Sequence, residues 1–416
     1  MKRRDFIKLS SLAGSSLIVG VYLPGCTTVE GPTQIFEPNA FLSIDSKGAI
    51  VLWAIKPELG QGIMTSMPML IAEELEVAWS DIEIKQAMGD PKYGSQGVGG
   101  SSSIRRQMIP MRKAGAAARE MLIEAASNMW KTDKSNCFAE RGKIHNRLND
   151  KSFDYKDLVE SAGKLPIPED PTLKDPKYFK LIGKPIPRVD TPEKVNGSAK
   201  YSIDIVVPKM LFASVIHPPV IYAGIESFDA SKALALKGVM DIFQIEHELF
   251  ENWTSHTIAV VADTFYTAVK ARELVDIIWD TKDYKNNSTA KHYESLKNAS
   301  KKKGTRPTEI GDVGRALREV KQTLTAEYEL PYLSHAPMEP MNCVVDIKAD
   351  SCEIWVGTQS PGGLQQQVAD HLQLDEKNVN IHVPYLGGGF GRRSFHDFVM
   401  EAVDISKKVK APVKLI

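Results

Sequence analysis

The sequence lacks an excess of charge of either sign. Lysines plus arginines number 52, aspartates plus glutamates also number 52, and the formal net charge at pH 7 is +0. A balanced chain offers no broad attraction to nucleic acid or to an anionic membrane surface, so neither is an expected partner. The remaining composition, 43% hydrophobic and 25% charged over 416 residues, is typical of a globular protein of roughly two to four domains.

Cysteine is scarce as well, since Cys26, Cys137, Cys343 and Cys352 are the only four. No Cys-x-x-Cys pair occurs, which argues against a zinc site or an iron–sulfur cluster built by this chain. Electrons from any redox centre would therefore leave through a cluster on another polypeptide. We interpret Cys137 and Cys343 as buried apolar residues. A bridge between Cys343 and Cys352 stays open, because spacing alone does not decide it.

The sequence also lacks an apolar run long enough to span a bilayer. The run at residues 9–23 is short of the ~20 residues that a transmembrane helix needs. It follows Arg3-Arg4, with Phe6 and Lys8 close behind, and this pattern resembles a twin-arginine export signal. We therefore expect residues 1–35 to be an export leader and the protein to be periplasmic. This route carries folded proteins, which suits an enzyme that loads a large cofactor first.

Leu23-Pro24-Gly25-Cys26 ends the apolar run and resembles a lipoprotein box. Cys26 would then carry a lipid that anchors the exported protein at the membrane. Pro24 is an uncommon residue in such a box, so a leader that is retained or cleaved elsewhere stays open as the alternative.

Behind the leader, residues 36–165 form the first block of a predicted α+β fold. Its first helix is expected to be capped by Thr65 or Ser66 and to carry Pro68 in the first turn. The alternation and helical spacing of apolar residues predict, in order, a hairpin turn at 45–48, a helix at 67–75, a strand at 82–84, a glycine- and serine-rich loop at 94–103 and a helix at 111–129.

Two further blocks follow, joined by polar segments. Residues 166–192 and 284–308 are polar and rich in lysine, and the first is also rich in proline, which predicts surface connectors. Residues 183–283 alternate strand and helix and predict a compact α/β domain. Residues 309–416 end in what we interpret as a strand cut within the element. The predicted strands are 239–245, 258–262, 275–279, 327–330, 344–347, 354–356 and 379–382, and the helices are 264–274 and 364–372.

The sharpest functional signal is the stretch Pro-Tyr-Leu-Gly-Gly-Gly-Phe-Gly-Arg-Arg at residues 384–393. Consecutive glycines let the backbone approach a ligand and direct successive N–H groups at it. Arg392 and Arg393 are expected to neutralise phosphate. The spacing excludes a dinucleotide fingerprint, because Arg392 stands where the third glycine belongs, and no Walker Gly-Lys-Ser/Thr follows. The alternative is a plain flexible turn.

Two other glycine-rich segments resemble anion cradles. Residues 58–65, with Gly60-Gln61-Gly62, precede the first helix and would expose N–H groups at its start. Residues 99–105, Gly-Gly-Ser-Ser-Ser-Ile-Arg, add hydroxyl donors and a cation. Each segment alone is more often an ordinary loop, but three in one chain favour a bound anionic cofactor.

Together these motifs resemble the large subunit of xanthine dehydrogenase and aldehyde oxidase type molybdenum hydroxylases. Residues 58–126 resemble its cofactor-binding segment, and residues 183–205 resemble the start of its α/β hammerhead domain. Residues 335–340, 358–361 and 387–391 resemble its successive active-site loops. The Gly-Gln-Gly segment precedes the hammerhead domain here, whereas in most of the family it lies near the C-terminus. This permuted order resembles that of the large, or β, subunits of isoquinoline 1-oxidoreductase.

The resemblance implies a molybdopterin cofactor, in its cytosine dinucleotide form, whose sulfurs hold the molybdenum. Gln359 and the backbone N–H of Phe390 are then expected to hydrogen-bond oxygen ligands of the metal. His217, His256 and His382 are interpreted as structural. The residues expected against the pterin, its phosphates or the metal centre are Gln61, Gly62, Gly100, Ser101, Ser102, Ser103, Gly388, Gly389, Gly391 and Arg392.

The implied reaction is hydroxylation of an aldehyde or an N-heterocycle, with water as the oxygen source and a glutamate as general base. Electrons would pass to a small [2Fe–2S] subunit and on to an acceptor such as a cytochrome. The family carries this glutamate in a Gly-Glu motif, and no Gly-Glu dipeptide occurs in these 416 residues. We therefore expect the base beyond Ile416. The alternative is a catalytically inactive, truncated exported protein that binds cofactor or partner.

Overall fold

A computed structural model of the chain describes residues 34–220, 223–250, 253–281, 286 and 288–416. The predicted leader, with Arg3, Arg4 and Cys26, lies outside the described residues. Among the helices described, none combines the length and the apolar character needed to cross a bilayer.

The strands and helices have the following bounds. The strands are β1 Ile35–Asn39, β2 Leu42–Asp45, β3 Ile50–Ala54, β4 Ile82–Gln86, β5 Cys137–Glu140, β6 Lys143–Asn146, β7 Ser152–Asp154, β8 Leu211–Ile216, β9 Gly224–Asp229, β10 Val239–Phe250, β11 Trp253–Ala262, β12 Asp276–Asp280, β13 Cys343–Ile347, β14 Cys352–Val356, β15 Val379–His382 and β16 Val413–Leu415. The helices are α1 Ile63–Leu75, α2 Ser103–Trp130, α3 Tyr155–Gly163, α4 Thr191–Asn196, α5 Ser231–Leu234, α6 Phe265–Arg272, α7 Thr289–Ser300, α8 Val313–Glu319, α9 Pro361–Leu372 and α10 Asp397–Val409.

The first layer is a four-stranded sheet in the order β1-β2-β3-β4, packed against α1, α2 and α3. The predicted hairpin is confirmed as β2 and β3, which pair antiparallel, whereas β4 returns parallel to β3 after α1. Alternate residues of β3 are buried, as a half-covered sheet requires. A Cβ on Gly115 would collide with the carbonyl of Ile71, so this glycine is what lets α2 lie close against α1.

The start of α1 differs from the prediction. The helix begins at Ile63, after Gly62 in a left-handed conformation with φ of 83°, so neither Thr65 nor Ser66 is its cap. Thr65 instead accepts a hydrogen bond from the N–H of Val189 at 3.0 Å. Pro68 consequently lies in the helix interior rather than in the first turn, and the carbonyl one turn before it has no N–H to accept.

Two neighbouring carboxylates of α1 tie the connector at residues 170–182 to this first layer. Glu73, 1% exposed, accepts the N–H groups of Lys180, Leu181 and Ile182 and the Lys174 ammonium. Burial by itself would raise the pKa of Glu73, but these hydrogen bonds, led by Lys174, hold it below its usual value. The connector, which sequence composition marks only as polar, is therefore fixed by buried charge.

Glu74, the next residue, is fully buried and pairs with two arginines of α2. The Nε of Arg112 donates to it at 2.8 Å and the NH1 of Arg119 at 2.9 Å. Both arginines also donate to connector carbonyls. One carboxylate therefore joins α1, α2 and the connector.

The second layer is a seven-stranded mixed sheet in the order β10-β11-β8-β16-β13-β14-β15. β16 pairs parallel with β8 and antiparallel with β13, which joins strands of the predicted 183–283 and 309–416 blocks in one sheet. The helices α9 and α10 cover its core. Smaller sheets of β9 with β12, and of β5, β6 and β7, lie beside the two layers.

Two predictions about local structure are wrong or incomplete. Residues 327–330 form no strand, because no described strand lies beside them to complete a ladder. The predicted linker 284–308 contains the exposed helix α7, capped by the Ser288 hydroxyl, which accepts the N–H of Lys291. Cys343 and Cys352 stand at opposite ends of the β13–β14 pair and are free thiols, whereas the expected burial of Cys137 and Cys343 is confirmed.

We predict that Glu74→Gln destabilises the protein strongly, because it leaves the Arg112 and Arg119 charges buried without a counter-ion. The expected loss is about 3–5 kcal/mol, read as a lower urea midpoint. Glu124→Gln is the matched control, since Glu124 and its partner Lys134 have side chains 34% and 60% exposed and the expected loss is below about 1 kcal/mol. Equal shifts in the two variants would contradict this account.

Candidate functional site

Three loops meet around the side chain of Gln359, which is only 6% exposed. Its Nε2 donates to the carbonyl of Val98 at 2.9 Å, and its Oε1 accepts from the N–H of Gly391 at 3.0 Å. Its backbone N–H donates to the carbonyl of Arg393 at 2.9 Å, and the N–H of Val98 donates back to its carbonyl at 2.8 Å. The segment before α2, the loop after β14 and the glycine loop after β15 are thereby held together.

The glycine loop, residues 387–391, follows a path that side chains would block. Gly388 and Gly391 both have φ of 91°, and a Cβ on Gly389 would lie 2.6 Å from Oε1 of Gln359. Phe390 adopts a left-handed φ of 52° without being a glycine, which costs about 1–2 kcal/mol. Its ring is 69% exposed. The strain at Phe390 marks this turn as a candidate for function.

The three central backbone donors of this loop are free, whereas the N–H groups of Gly387 and Gly391 donate to Glu339 and Gln359. Among the residues that the structure describes, none accepts a hydrogen bond from the N–H of Gly388, Gly389 or Phe390. Successive N–H groups next to left-handed residues form a concavity that binds anions or polarised oxygens. The carboxamide of Gln359 keeps a second N–H beyond the one given to Val98. The loop therefore offers three donors, and Gln359 adds a fourth beside them.

Arg393 is fully buried and links these loops through hydrogen bonds. Its Nε donates to the carbonyl of Gly388 at 2.9 Å, its NH1 to that of Gly357 at 3.2 Å, and its NH2 to the carbonyl and Oε2 of Glu339, each at 2.9 Å. Burial lowers the pKa of Arg393, and the negative charge of Glu339 offsets part of this decrease. The prediction that Arg393 neutralises phosphate is therefore wrong, because its guanidinium is fully buried and all three of its nitrogens donate to acceptors within the protein.

Arg392 is also paired within the chain. Its NH1 and NH2 each donate to the carboxylate of Asp397 at 2.7 Å, a bidentate arrangement, and its guanidinium lies 5.8 Å from the centre of the Phe398 ring. Its predicted cofactor contact stays a prediction. Because it is paired with Asp397, however, Arg392 is not a free cation for phosphate.

The Gly-Gln-Gly turn before α1 differs most from expectation. The carboxylate of Glu58, 2% exposed, accepts the N–H groups of Gly60 at 2.9 Å and of Gly62 and Met64 at 3.0 Å. Arg188 pairs with the same carboxylate at 3.1 Å. The anion at this helix start is therefore the chain's own glutamate, so the N–H groups of Gly60, Gly62 and Met64 are not free for an external phosphate.

Gln61 closes the same turn with both ends of its amide. Its Nε2 donates to the carbonyl of Pro57 at 3.0 Å, and its Oε1 accepts from the N–H of Leu59 at 2.8 Å. The turn still adjoins the glycine loop, because the N–H of Leu386 donates to the carbonyl of Glu58 at 3.0 Å. Cofactor contacts at Gln61 and Gly62 stay a prediction.

The serine-rich segment uses the donors of Ser102 internally but leaves the next three N–H groups open. Gly100 and Ser101 have left-handed φ values of 57° and 51°, and the Ser102 hydroxyl donates to the carbonyl of Gly99 at 2.8 Å. The N–H groups of residues 103–105, in the first turn of α2, have no acceptor among the described residues. A long helix that starts with free N–H groups carries a partial positive charge there.

Lys56 is a site residue that sequence reasoning missed. It is 4% exposed, and its Nζ donates to the carbonyls of Ser95 at 2.6 Å and Gly97 at 2.8 Å, so it fixes the segment that reaches Val98. Burial, with a smaller effect of Arg106, lowers the pKa of Lys56. A single lysine after a strand carries no sequence signal for this role. Within the described ranges, no cluster of three or more His, Cys, Asp or Glu side chains could hold a metal ion.

Comparisons with known proteins identify two matching family models. A family model described as a molybdopterin cofactor-binding domain matches residues 296–416, and a second model with the same description matches residues 5–206. Together they include all three loops of the site.

Three curated relatives illustrate the similarity. The beta subunit of isoquinoline 1-oxidoreductase from Brevundimonas diminuta is 27% identical, over 100% of this chain and 59% of that protein. Membrane-bound aldehyde dehydrogenase (pyrroloquinoline-quinone) of Gluconacetobacter polyoxogenes is 29% identical, over 100% and 55%. One of the subunits of nicotinate dehydrogenase from Pseudomonas putida is 27% identical, over 91% and 32%. The chain thus spans 59% or less of each relative's length.

Among solved structures, quinoline 2-oxidoreductase from Pseudomonas putida 86 aligns over 56% of this chain and 34% of its own, with a TM-score of 0.44 and 19% identity. The classification rests on the sequence matches. With molybdopterin cofactor-binding models matched at residues 5–206 and 296–416, and with isoquinoline and nicotinate oxidoreductase subunits as relatives, the chain belongs to the molybdopterin-binding large subunits of the xanthine dehydrogenase and aldehyde oxidase family.

Proposed function

We propose that the chain is the cofactor-binding part of the large subunit of a molybdenum hydroxylase that oxidises aldehydes or N-heterocycles. The observation that carries the proposal is the convergence of Gln359 with the free N–H groups of Gly388, Gly389 and Phe390. The relatives' names support the substrate classes, since they include an isoquinoline oxidoreductase, a nicotinate dehydrogenase and aldehyde oxidases.

The residues present fit a molybdopterin. Its anionic groups and metal-bound oxygens are hydrogen-bond acceptors. The site supplies matching N–H donors at the glycine loop and at the start of α2. A side chain at Gly389 would collide with Gln359, so the loop backbone can lie this close only with glycine there. When bound, the cofactor supplies two-electron oxidation with water as the oxygen source. The chain would orient the cofactor: Gln359 and the N–H of Phe390 would donate to its polar atoms, and Arg393 would hold the surrounding loops in position.

The cytosine dinucleotide form, an iron–sulfur subunit and a cytochrome acceptor belong to the same proposal. The absence of a cysteine pair in the 416 residues is the reason to place the cluster on another polypeptide. A cofactor- or partner-binding protein without turnover is the second candidate, favoured by the absence of a Gly-Glu dipeptide. Turnover of an aldehyde by the assembled complex would exclude it.

The direct test of the proposal is cofactor content after expression in cells that make molybdopterin. We expect about one molybdenum per chain and an equal amount of cytidine monophosphate after acid hydrolysis. Gln359→Ala should lower the retained molybdenum several-fold, whereas Gln366→Ala, on the exposed side of α9, should not. Purified protein that is active with a quinone cofactor and free of molybdenum would overturn the proposal.

Arg393 should matter for retention without touching the cofactor. Arg393→Lys keeps a positive charge but cannot reach Gly388, Gly357 and Glu339 together, so we expect faster hydrogen exchange at residues 387–391 and a lower molybdenum content. Arg147→Lys is the control, because its guanidinium lies over the Phe138 ring, away from these loops. Unchanged exchange at 387–391 in Arg393→Lys would refute its role as their support.

We further propose export to the periplasm through the twin-arginine route. Arg3→Lys with Arg4→Lys should leave the protein in the cytoplasm, because the receptor reads the guanidinium pair. Lys2→Arg is the control and should be exported normally. Cys26→Ala should release a membrane-bound fraction if Cys26 carries lipid. Cell fractionation measures both, and periplasmic protein at the normal level in the double variant would show that Arg3-Arg4 is not a signal.

A further inference from the structure

A short segment at residues 200–204, here called the clamp, binds two parts of the site through its backbone. The carbonyl of Lys200 accepts the N–H of Tyr385 at 3.1 Å, just before the glycine loop. The N–H of Ile203 donates to Oε1 of Glu339 at 3.2 Å. The clamp belongs to the block that the sequence predicts as the α/β domain, so these bonds join that domain to the loops of the site.

Ser202 adds a third contact of the clamp, and a side chain makes it. Its hydroxyl oxygen accepts the N–H of Gly357 at 2.5 Å, and Ser202 is fully buried. Gly357 directly follows β14 and stands two residues before Gln359. The clamp therefore also reaches the loop that carries Gln359, at the point where this loop leaves the seven-stranded sheet.

Gly357 is held at both of its peptide groups. Its N–H is bound by Ser202, and its carbonyl accepts NH1 of Arg393 at 3.2 Å. A Cβ at this position would lie 2.9 Å from Cγ of Leu386 and 3.2 Å from Oγ of Ser202, so a larger residue would have to displace one of them. Glycine has the widest choice of φ and ψ. The two hydrogen bonds therefore supply the restraint that fixes the direction of the chain after β14.

The place of the Gln359 amide depends on this direction. The amide reaches the carbonyl of Val98 at 2.9 Å and the N–H of Gly391 at 3.0 Å, on two other segments. Hydrogen bonds of this type weaken when the two heavy atoms separate beyond about 3.2 Å. A small rotation at Gly357 would therefore carry the amide out of reach of one partner or of both.

We propose that Ser202 is a positioning residue of the site, which holds Gln359 through the peptide group of Gly357. Arg393 restrains one peptide group of Gly357 and Ser202 restrains the other. Ser202 acts through Gln359 rather than by contact with the cofactor, and it makes the geometry of the site depend on the α/β domain. The inference rests on the proposed function only in naming the cofactor that Gln359 binds.

The first test is hydrogen exchange in the cofactor-free protein. Ser202→Ala should speed exchange at the amide of Gln359 at least about tenfold, although the acceptor of that amide, the carbonyl of Arg393, is untouched. Ser406→Ala is the matched control, because its hydroxyl is also buried and donates to the carbonyl of Ala411 at 2.9 Å, beyond α10. It should leave exchange at Gln359 unchanged. Urea midpoints should fall by similar amounts in the two variants, since each loses one buried hydroxyl.

A double-mutant cycle on molybdenum content supplies the second readout. In cells that make molybdopterin, Ser202→Ala and Gln359→Ala should each lower the retained molybdenum several-fold. The double variant should retain about as much as Gln359→Ala alone, because Ser202 acts through Gln359. Losses that multiply in the double variant, or exchange at Gln359 that matches the parent in Ser202→Ala, would overturn the proposal. Parent-level molybdenum in Gln359→Ala, with faster exchange at Gln359 in Ser202→Ala, would count against the proposed function and leave the positioning role in place.

Discussion

The buried ion pair between Arg393 and Glu339 is the interaction on which the site depends. One guanidinium binds the carbonyls of Gly388, Gly357 and Glu339, which belong to three separate loops. A buried pair of this kind adds little net stability, because desolvation offsets most of its attraction. Its effect is positional, because Arg393 fixes the carbonyl of Gly388 in the glycine loop relative to Gly357 and Glu339.

Internal carboxylates decide which glycine-rich segments remain open. Glu58 fills the turn before α1, and Glu73 and Glu74 bind the connector. Among the described residues, no carboxylate accepts an N–H of the serine segment, and in the glycine loop Glu339 accepts only that of Gly387. Gln359 links the two segments. Three similar sequence motifs therefore have two different physical roles. Two keep N–H groups without an acceptor among the described residues, and in the third Glu58 accepts the N–H groups of Gly60, Gly62 and Met64.

Much of the fold follows from local pattern, but the charges of the site do not. The β2–β3 hairpin, α2 and β15 form where alternation or helical spacing predicts them, since burial of one face is a local property. Arg393 and Lys56 look like surface residues in sequence, because only the tertiary fold brings them the carbonyls they bind. The strand predicted at 327–330 needs a neighbour, and none of the described strands supplies one. The seven-stranded sheet joins strands that are far apart in the sequence. The local pattern of each segment does not indicate which distant strand it pairs with.

An experimental structure of the cofactor-loaded protein is the most direct test of the central claim. The account predicts acceptor atoms of the cofactor within hydrogen-bond distance of the N–H groups of Gly388 to Phe390 and of the Gln359 amide. It also predicts that Glu58 still accepts the N–H groups of Gly60 and Gly62, as it does here. A cofactor phosphate seated in the Gly60–Gly62 turn with Glu58 displaced, or a cofactor bound away from the glycine loop, would contradict it.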